Sequence, residues 1–183
     1  ENISKHSVNN IMIIWIASYP KSGNTYIRSF LSAYYFSKDG TFDFDLLKNI
    51  RQFPDESFHD KKSITFDEAV KNYIPAQKKI LESKKASFLK THNILGKYKN
   101  LPFTTPEYTL GIIYIVRDPR NVVTSFSNHN TKPISDTVEL LCNDLATSNE
   151  KNEVEVYLGS WNFNYNSWKV YKSSKKYLLV KYE

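Results

Sequence analysis

The sequence predicts an α/β fold built on a central, mostly parallel β-sheet. Two continuous apolar runs, Ile11 to Ala17 and Ile112 to Val116, are rich in β-branched residues and lack polar alternation. That is the pattern of strands covered on both faces. Each run ends in a polar turn that opens a helical pattern, and a further strand-like segment, Tyr177 to Tyr182, follows another helical stripe. Strands and helices therefore alternate, and such sheets bind ligands beyond the carboxyl ends of their strands.

The first strand, Ile11 to Ala17, stops at Tyr19-Pro20, and Lys21-Ser22-Gly23-Asn24-Thr25 follows as a tight turn. Ile27, Phe30, Leu31, Tyr34 and Tyr35 then recur at helical spacing, which predicts a helix burying that stripe. Residues 37–64 read as irregular, with a short helix capped by Asp45. Thr65 with Glu68 forms a capping box for a helix carrying Val70, Tyr73 and Ile74, and Pro75 is expected to start a second piece with Ile80 and Leu81. Ser87 to Lys90 reads as a short strand ending in Thr91-His92-Asn93. After the Ile112 to Val116 strand, Asp118 is placed to cap a helix with Pro119 at its first position. Asp136 and Glu139 suggest a cap for the helix carrying Val138, Leu141, Cys142 and Leu145. Leu158, Trp161, Tyr165 and Trp168 form the last helical stripe.

No repeat or composition shift divides the chain, so residues 1–183 are expected to form a single domain, large enough for one sizeable core. Hydrophobic residues at 40% and charged residues at 24% match globular averages and argue against disorder. The formal charge of +6 favours an anionic partner without choosing one. Its lysines are scattered in pairs, such as Lys61-Lys62 and Lys175-Lys176, which reads as solvated surface rather than a nucleic-acid footprint. Cys142 is the only cysteine, which excludes an intrachain disulfide, disfavours a Cys-based zinc site and fits a reducing, cytoplasmic location. The Ile11 to Ala17 run is too short to span a bilayer. A signal peptide is a poor reading of it, because cleavage there would remove the informative turn.

Three polar clusters fall just past predicted strand ends: Lys21 to Thr25, Lys90 to His92, and Arg117 with Ser125 in the helix that follows. They are expected to converge in one cleft. Gly23 lets the backbone approach an anion closely, the amides after it belong to a helix N-terminus, and Lys21 adds a full positive charge. This chemistry suits phosphate or sulfate. A nucleotide-binding loop of the form G-x-x-x-x-G-K-[ST] is not matched, since the turn has one glycine with its lysine ahead of it, which argues against an ordinary ATPase or GTPase.

"YPKSGNTY" resembles the 5′-phosphosulfate loop of the sulfotransferases that use 3′-phosphoadenosine 5′-phosphosulfate (PAPS), whose usual form is YPKSGTTW. "IVRDPRNVVTSF" is similar to their 3′-phosphate segment, "KTHN" to their catalytic segment and "LGSWNFNYNSW" to their Gly-Ser-Trp helix. These motifs stand in the family's order over residues 11–182. The resemblance implies a P-loop-like three-layer α/β/α fold of the cytosolic type. It implies sulfuryl transfer from PAPS to a hydroxyl or amine of a small-molecule or glycan-type acceptor, with adenosine 3′,5′-bisphosphate (PAP) as product. No metal, nucleic-acid partner or membrane span is expected.

The resemblance also implies roles. Lys21 would stabilise the leaving 5′-phosphate, with Ser22, Gly23, Asn24 and Thr25 holding the same group and Tyr26, in place of the usual tryptophan, stacking on adenine. Arg117 and Ser125 would hold the 3′-phosphate. His92 would be the general base, and Lys90 would help neutralise the sulfuryl oxygens. His6, His59 and His129 are read as structural. Leu158 stands where many members carry an adenine-contacting tyrosine, for which Tyr157 is a substitute. The sequence stops at Glu183, within the likeness to the family's "YED" segment and before its Arg-Lys-Gly element, so a fragment of a longer protein is expected. A non-catalytic nucleotide- or anion-binding module and a P-loop-type phosphotransferase are the alternatives.

Overall fold

The computed structural model of the chain describes residues 12–60, 64–82, 86–148 and 154–183. Strand β1 (Ile13–Ser18) leads through a turn into helix α1 (Asn24–Phe36), and after a 3₁₀ turn at Phe44–Asn49 comes the two-residue strand β2 (Arg51–Gln52). Helix α2 (Phe66–Glu82) precedes β3 (Ser87–Thr91), a small antiparallel ladder of β4 (Lys97–Tyr98) and β5 (Leu101–Pro102), and β6 (Thr109–Val116). Helices α3 (Pro119–Asn130), α4 (Ile134–Cys142) and α5 (Trp161–Trp168) follow, and β7 (Tyr177–Lys181) completes the order. Ile11, Lys61, Lys62 and His6 lie outside the described residues.

The five-stranded sheet has the order β2-β3-β1-β6-β7, and every pairing in it is parallel. Alternate residues of β1 feed opposite faces, as the two-residue period of a strand requires. Ile13, Trp15 and Ala17 join Tyr73 of α2, Trp168 of α5, Phe53 and Phe103 in one core. Ile16 faces the other way, with Ile50 and Ile115, where Ile27 and Leu31 of α1 cover it. Helices thus flank both faces in three layers, as the sequence predicts. Trp15 is the centre of the aromatic core, with Phe53, Phe103 and Trp168 rings at 5.6, 5.0 and 6.3 Å.

Local structure departs from the sequence reading in several places, and Leu145 and Leu158 also lie outside α4 and α5. The stripe expected to bury α1 is largely outward, with Phe30 64% and Tyr34 71% exposed. The buried residues of α1 are Asn24 and Ser32, and of the expected stripe Ile27 and Leu31 are partly covered against the core. Pro75 does not divide α2, which is continuous from Phe66 to Glu82. Packing of Tyr73, Ala76 and Gln77 on the core outweighs the one backbone bond that proline removes. Asp43, not Asp45, caps the 3₁₀ turn, accepting from the Asp45 amide at 2.7 Å. Pro133 precedes α4 without a side-chain cap, and Asp136 lies inside its first turn. Residues 37–64 are also less irregular than expected, since β2 pairs with β3 there. The Thr65–Glu68 capping box and the Asp118 cap before Pro119 form as expected.

Candidate active site

Because β3, β1 and β6 are adjacent and parallel, the segments leaving their carboxyl ends are neighbours in space although far apart in sequence. Residues of all three line a cleft of about 930 Å³. Of the residues expected there, Lys21, Gly23, Asn24, Thr25, Tyr26, Lys90, His92, Arg117 and Ser125 line it. Ser22 does not; it is fully buried, and its hydroxyl has no hydrogen-bond partner among the described residues. No aspartate or glutamate is among the described residues that line the cleft. Its field is therefore positive and attracts anions.

The turn after β1 is shaped to present backbone amides. Gly23 is the residue before α1, with φ of 91°, a conformation natural to glycine. It offers no side chain to cap the helix, and the first turn of α1 holds no acidic residue. Free first-turn amides and the helix dipole then favour an external anion. The Asn24 side chain is turned inward, donating to the Ile16 carbonyl and the Ser18 hydroxyl, each at 3.1 Å. Only its backbone is thereby left for a ligand in this arrangement. Lys21 also adopts a positive φ, 63°, which costs a non-glycine residue energy and is supported by its carbonyl accepting from Arg117 Nη1 at 3.2 Å.

At the end of β3, His92 Nδ1 lies 2.7 Å from the Ser18 carbonyl oxygen and 3.2 Å from the Ser18 hydroxyl. A carbonyl only accepts, so Nδ1 carries the proton and Nε2 is the basic nitrogen of the neutral ring. Asn164 of α5 fixes the same residue from behind, donating to the His92 carbonyl and the Leu158 carbonyl at 2.9 Å and accepting from Tyr114 Oη. Burial lowers the His92 pKa well below its usual value; the charges of Lys90, Arg28 and Lys21 add to this, and the Ser18 carbonyl opposes it. The imidazole is therefore neutral at pH 7. Lys90 Nζ donates to Gln52 Oε1 of β2 at 2.7 Å, which places its charge on the same wall.

At the end of β6, Arg117 is held on three sides. Its Nε donates to Glu183 Oε1 at 3.0 Å, its Nη1 donates to the Lys21 carbonyl, and its guanidinium carbon lies 5.0 Å from the centre of the Tyr182 ring. Asp118, which caps α3, is held down to about 2, chiefly by its side-chain bond to Arg120, so it keeps its charge on the cap. Tyr26 is 67% exposed and meets Tyr182 edge-on at 6.3 Å. Ser125 lies one wall along, on α3.

Several lining residues escaped the sequence reading: Gln52, Tyr182, Asn130, Lys132 and His129. Gln52 lies in a segment read as irregular, while His129 was expected to be structural and instead lines the cleft. His59 does have a structural setting, with Nδ1 3.3 Å from Asn72 Nδ2. Leu158 is fully buried and lines the cleft, whereas Tyr157 does not line it and donates its hydroxyl to the Asp144 carbonyl at 2.9 Å. Among the described residues no helix is long and apolar enough to cross a membrane, and no group of three acidic, His or Cys side chains stands ready for a metal.

The family model for the sulfotransferase domain matches residues 13–183. No curated protein sequence matches the chain significantly. Among solved structures, mouse sulfotransferase SULT7A1 complexed with PAP is similar, with a TM-score of 0.52 and 19% identity over 93% of this chain and 51% of that one. Retinol dehydratase in a complex with retinol and PAP gives a TM-score of 0.53 and 16% identity over 92% of this chain and 53% of that one. The chain thus spans about half the length of these two proteins and shares their fold.

Proposed function

This chain belongs to the sulfotransferase domain family, and from that premise we propose that it transfers a sulfuryl group from PAPS to a hydroxyl or amine of a small-molecule or glycan-type acceptor. One observation carries the reading: an uncapped helix N-terminus flanked by Lys21 and Arg117 shares a cleft with a neutral histidine whose proton is on Nδ1. The first is the donor set a phosphorylated nucleotide needs, and the second is a base.

The residues present fit PAPS by their chemistry. The amides of residues 23–25 and Lys21 would hold the 5′-phosphate, Arg117 and Ser125 the 3′-phosphate, and Tyr26 the adenine. When bound, PAPS supplies an electrophilic sulfur and a phosphate leaving group. His92 Nε2 takes the proton of the acceptor as its oxygen or nitrogen bonds to sulfur. Lys21 neutralises the electron pair left on the departing phosphate oxygen, and Lys90 offsets charge on the sulfuryl oxygens. In a loose transition state of this kind, positioning and charge stabilisation dominate. A cytoplasmic site of action, with which a single cysteine is compatible, is part of the same proposal.

Calorimetric titration with PAP, beside AMP and ATP with magnesium, tests it. Preference for PAP, lost in Lys21→Ala and Arg117→Ala, is the expected result; equal binding of AMP, or tighter binding of magnesium ATP, sinks the reading.

A further inference from the structure

Arg117 belongs to a small network that reaches beyond the predicted site. Glu183 bridges two elements: Oε1 accepts from Arg117 Nε at 3.0 Å, and Oε2 accepts from Asn121 Nδ2 of α3 at 2.6 Å. Its second oxygen is committed to α3 and does not close a two-pronged pair on the guanidinium. Nη1 is bonded to the Lys21 carbonyl, and Tyr182 covers one face of the guanidinium. Nη2 has no partner among the described residues, and Arg117 lines the cleft.

We propose that Glu183 is a positioning residue for nucleotide recognition: tethered to Asn121, it holds Arg117 in the orientation that offers Nη2 to the 3′-phosphate. This rests on the PAPS reading above. The physical case is preorganisation. An arginine side chain gives up rotamer freedom when it is fixed, and a grip formed before the ligand arrives removes much of that cost from binding. The grip also ties the two anion segments together, since the Lys21 carbonyl that receives Nη1 belongs to the turn in front of α1.

The sign of the effect separates this role from its rival. On Coulomb's law alone a carboxylate beside an anion site weakens anion binding, so if Glu183 merely competed with the 3′-phosphate, its removal would tighten PAP. Positioning predicts the opposite.

The test is calorimetric titration of wild type, Glu183→Ala, Glu183→Gln and Asn121→Ala with PAP and with AMP, which lacks the 3′-phosphate. Glu183→Ala is expected to lower the PAP-to-AMP affinity ratio about tenfold with AMP affinity held within about twofold. Glu183→Gln keeps an acceptor oxygen for Nε, and its amide nitrogen can donate to Asn121 Oδ1 once the Asn121 amide turns over, so this variant is expected to restore most of that ratio. Asn121 is exposed, so Asn121→Ala provides a folded variant that loosens the tether, and it is expected to lower the ratio in the same direction. An unchanged or increased ratio in Glu183→Ala and Asn121→Ala overturns the positioning role while leaving the PAPS reading intact, as does an equal loss of both ligands. A wild type that binds PAP no better than AMP overturns both.

Discussion

His92 Nδ1 donates to the main-chain carbonyl of Ser18 across 2.7 Å, joining the end of β3 to the end of β1. The bond decides the tautomer, and with it which nitrogen can act as a base. Replacing His92 by alanine is therefore expected to lower turnover by about 10²- to 10⁴-fold. PAP affinity is expected to stay within about threefold of wild type, because no phosphate contact is assigned to the ring. Steady-state assay beside calorimetry reads both, and turnover near wild type would remove His92 from the mechanism.

The same histidine makes stability depend on pH. Burial, with Lys90, Arg28 and Lys21 nearby, depresses its folded-state pKa below the unfolded value near 6.5. Between the two values the unfolded chain binds the extra proton, so stability rises with pH there. The contribution is complete above about pH 6.5 and is lost as pH falls toward the folded pKa. Urea unfolding from about pH 7 to pH 5 is expected to show a steeper loss in wild type than in His92→Asn. Identical slopes would mean that the ring is not held neutral.

Gly23 meets two constraints at once. Its φ of 91° disfavours any side chain, and an added Cβ would clash with the Tyr182 ring. Gly23→Ala is expected to cost about 2–4 kcal/mol, combining backbone strain with displacement of the ring. The double variant Gly23→Ala/Tyr182→Ala is expected to recover the steric part and keep roughly 1–2 kcal/mol of strain. Denaturant midpoints measure this; full recovery would show that the ring, and not the backbone, demands glycine.

Asn164 is fully buried and serves the His92 carbonyl, the Leu158 carbonyl and the Tyr114 hydroxyl together. Truncation to alanine strands those groups, at an expected cost of roughly 2–4 kcal/mol. Thermal unfolding with a shift below about 1 kcal/mol would indicate that the groups find other partners.

The elements legible in the sequence are those whose information is local. The β1–turn–α1 unit, the Thr65–Glu68 box and the Asp118–Pro119 start each depend on residues within a few positions, and the structure has them in place. The candidate cleft was legible for a related reason: three polar clusters at parallel strand ends must meet once those strands are neighbours. The buried face of α1 was legible only in part. Periodicity states that a helix has an apolar side but not how wide the covered strip is; Ile27 and Leu31 of the expected stripe pack on Ile16, while Phe30, Tyr34 and Tyr35 stay exposed.

The sequence by itself determined the alternation of strands and helices, the anion-favouring turn at Lys21 to Thr25, and the residue types that bring positive charge and a histidine to one edge of the sheet. Tertiary structure alone decided which nitrogen of His92 carries the proton, that Asn24 turns inward, and that Glu183 grips Arg117. The reason is separation along the chain. Ser18 and His92 are 74 positions apart and Arg117 and Glu183 are 66, so neither pair leaves a local pattern, and each exists only because the parallel sheet brings its strand ends together.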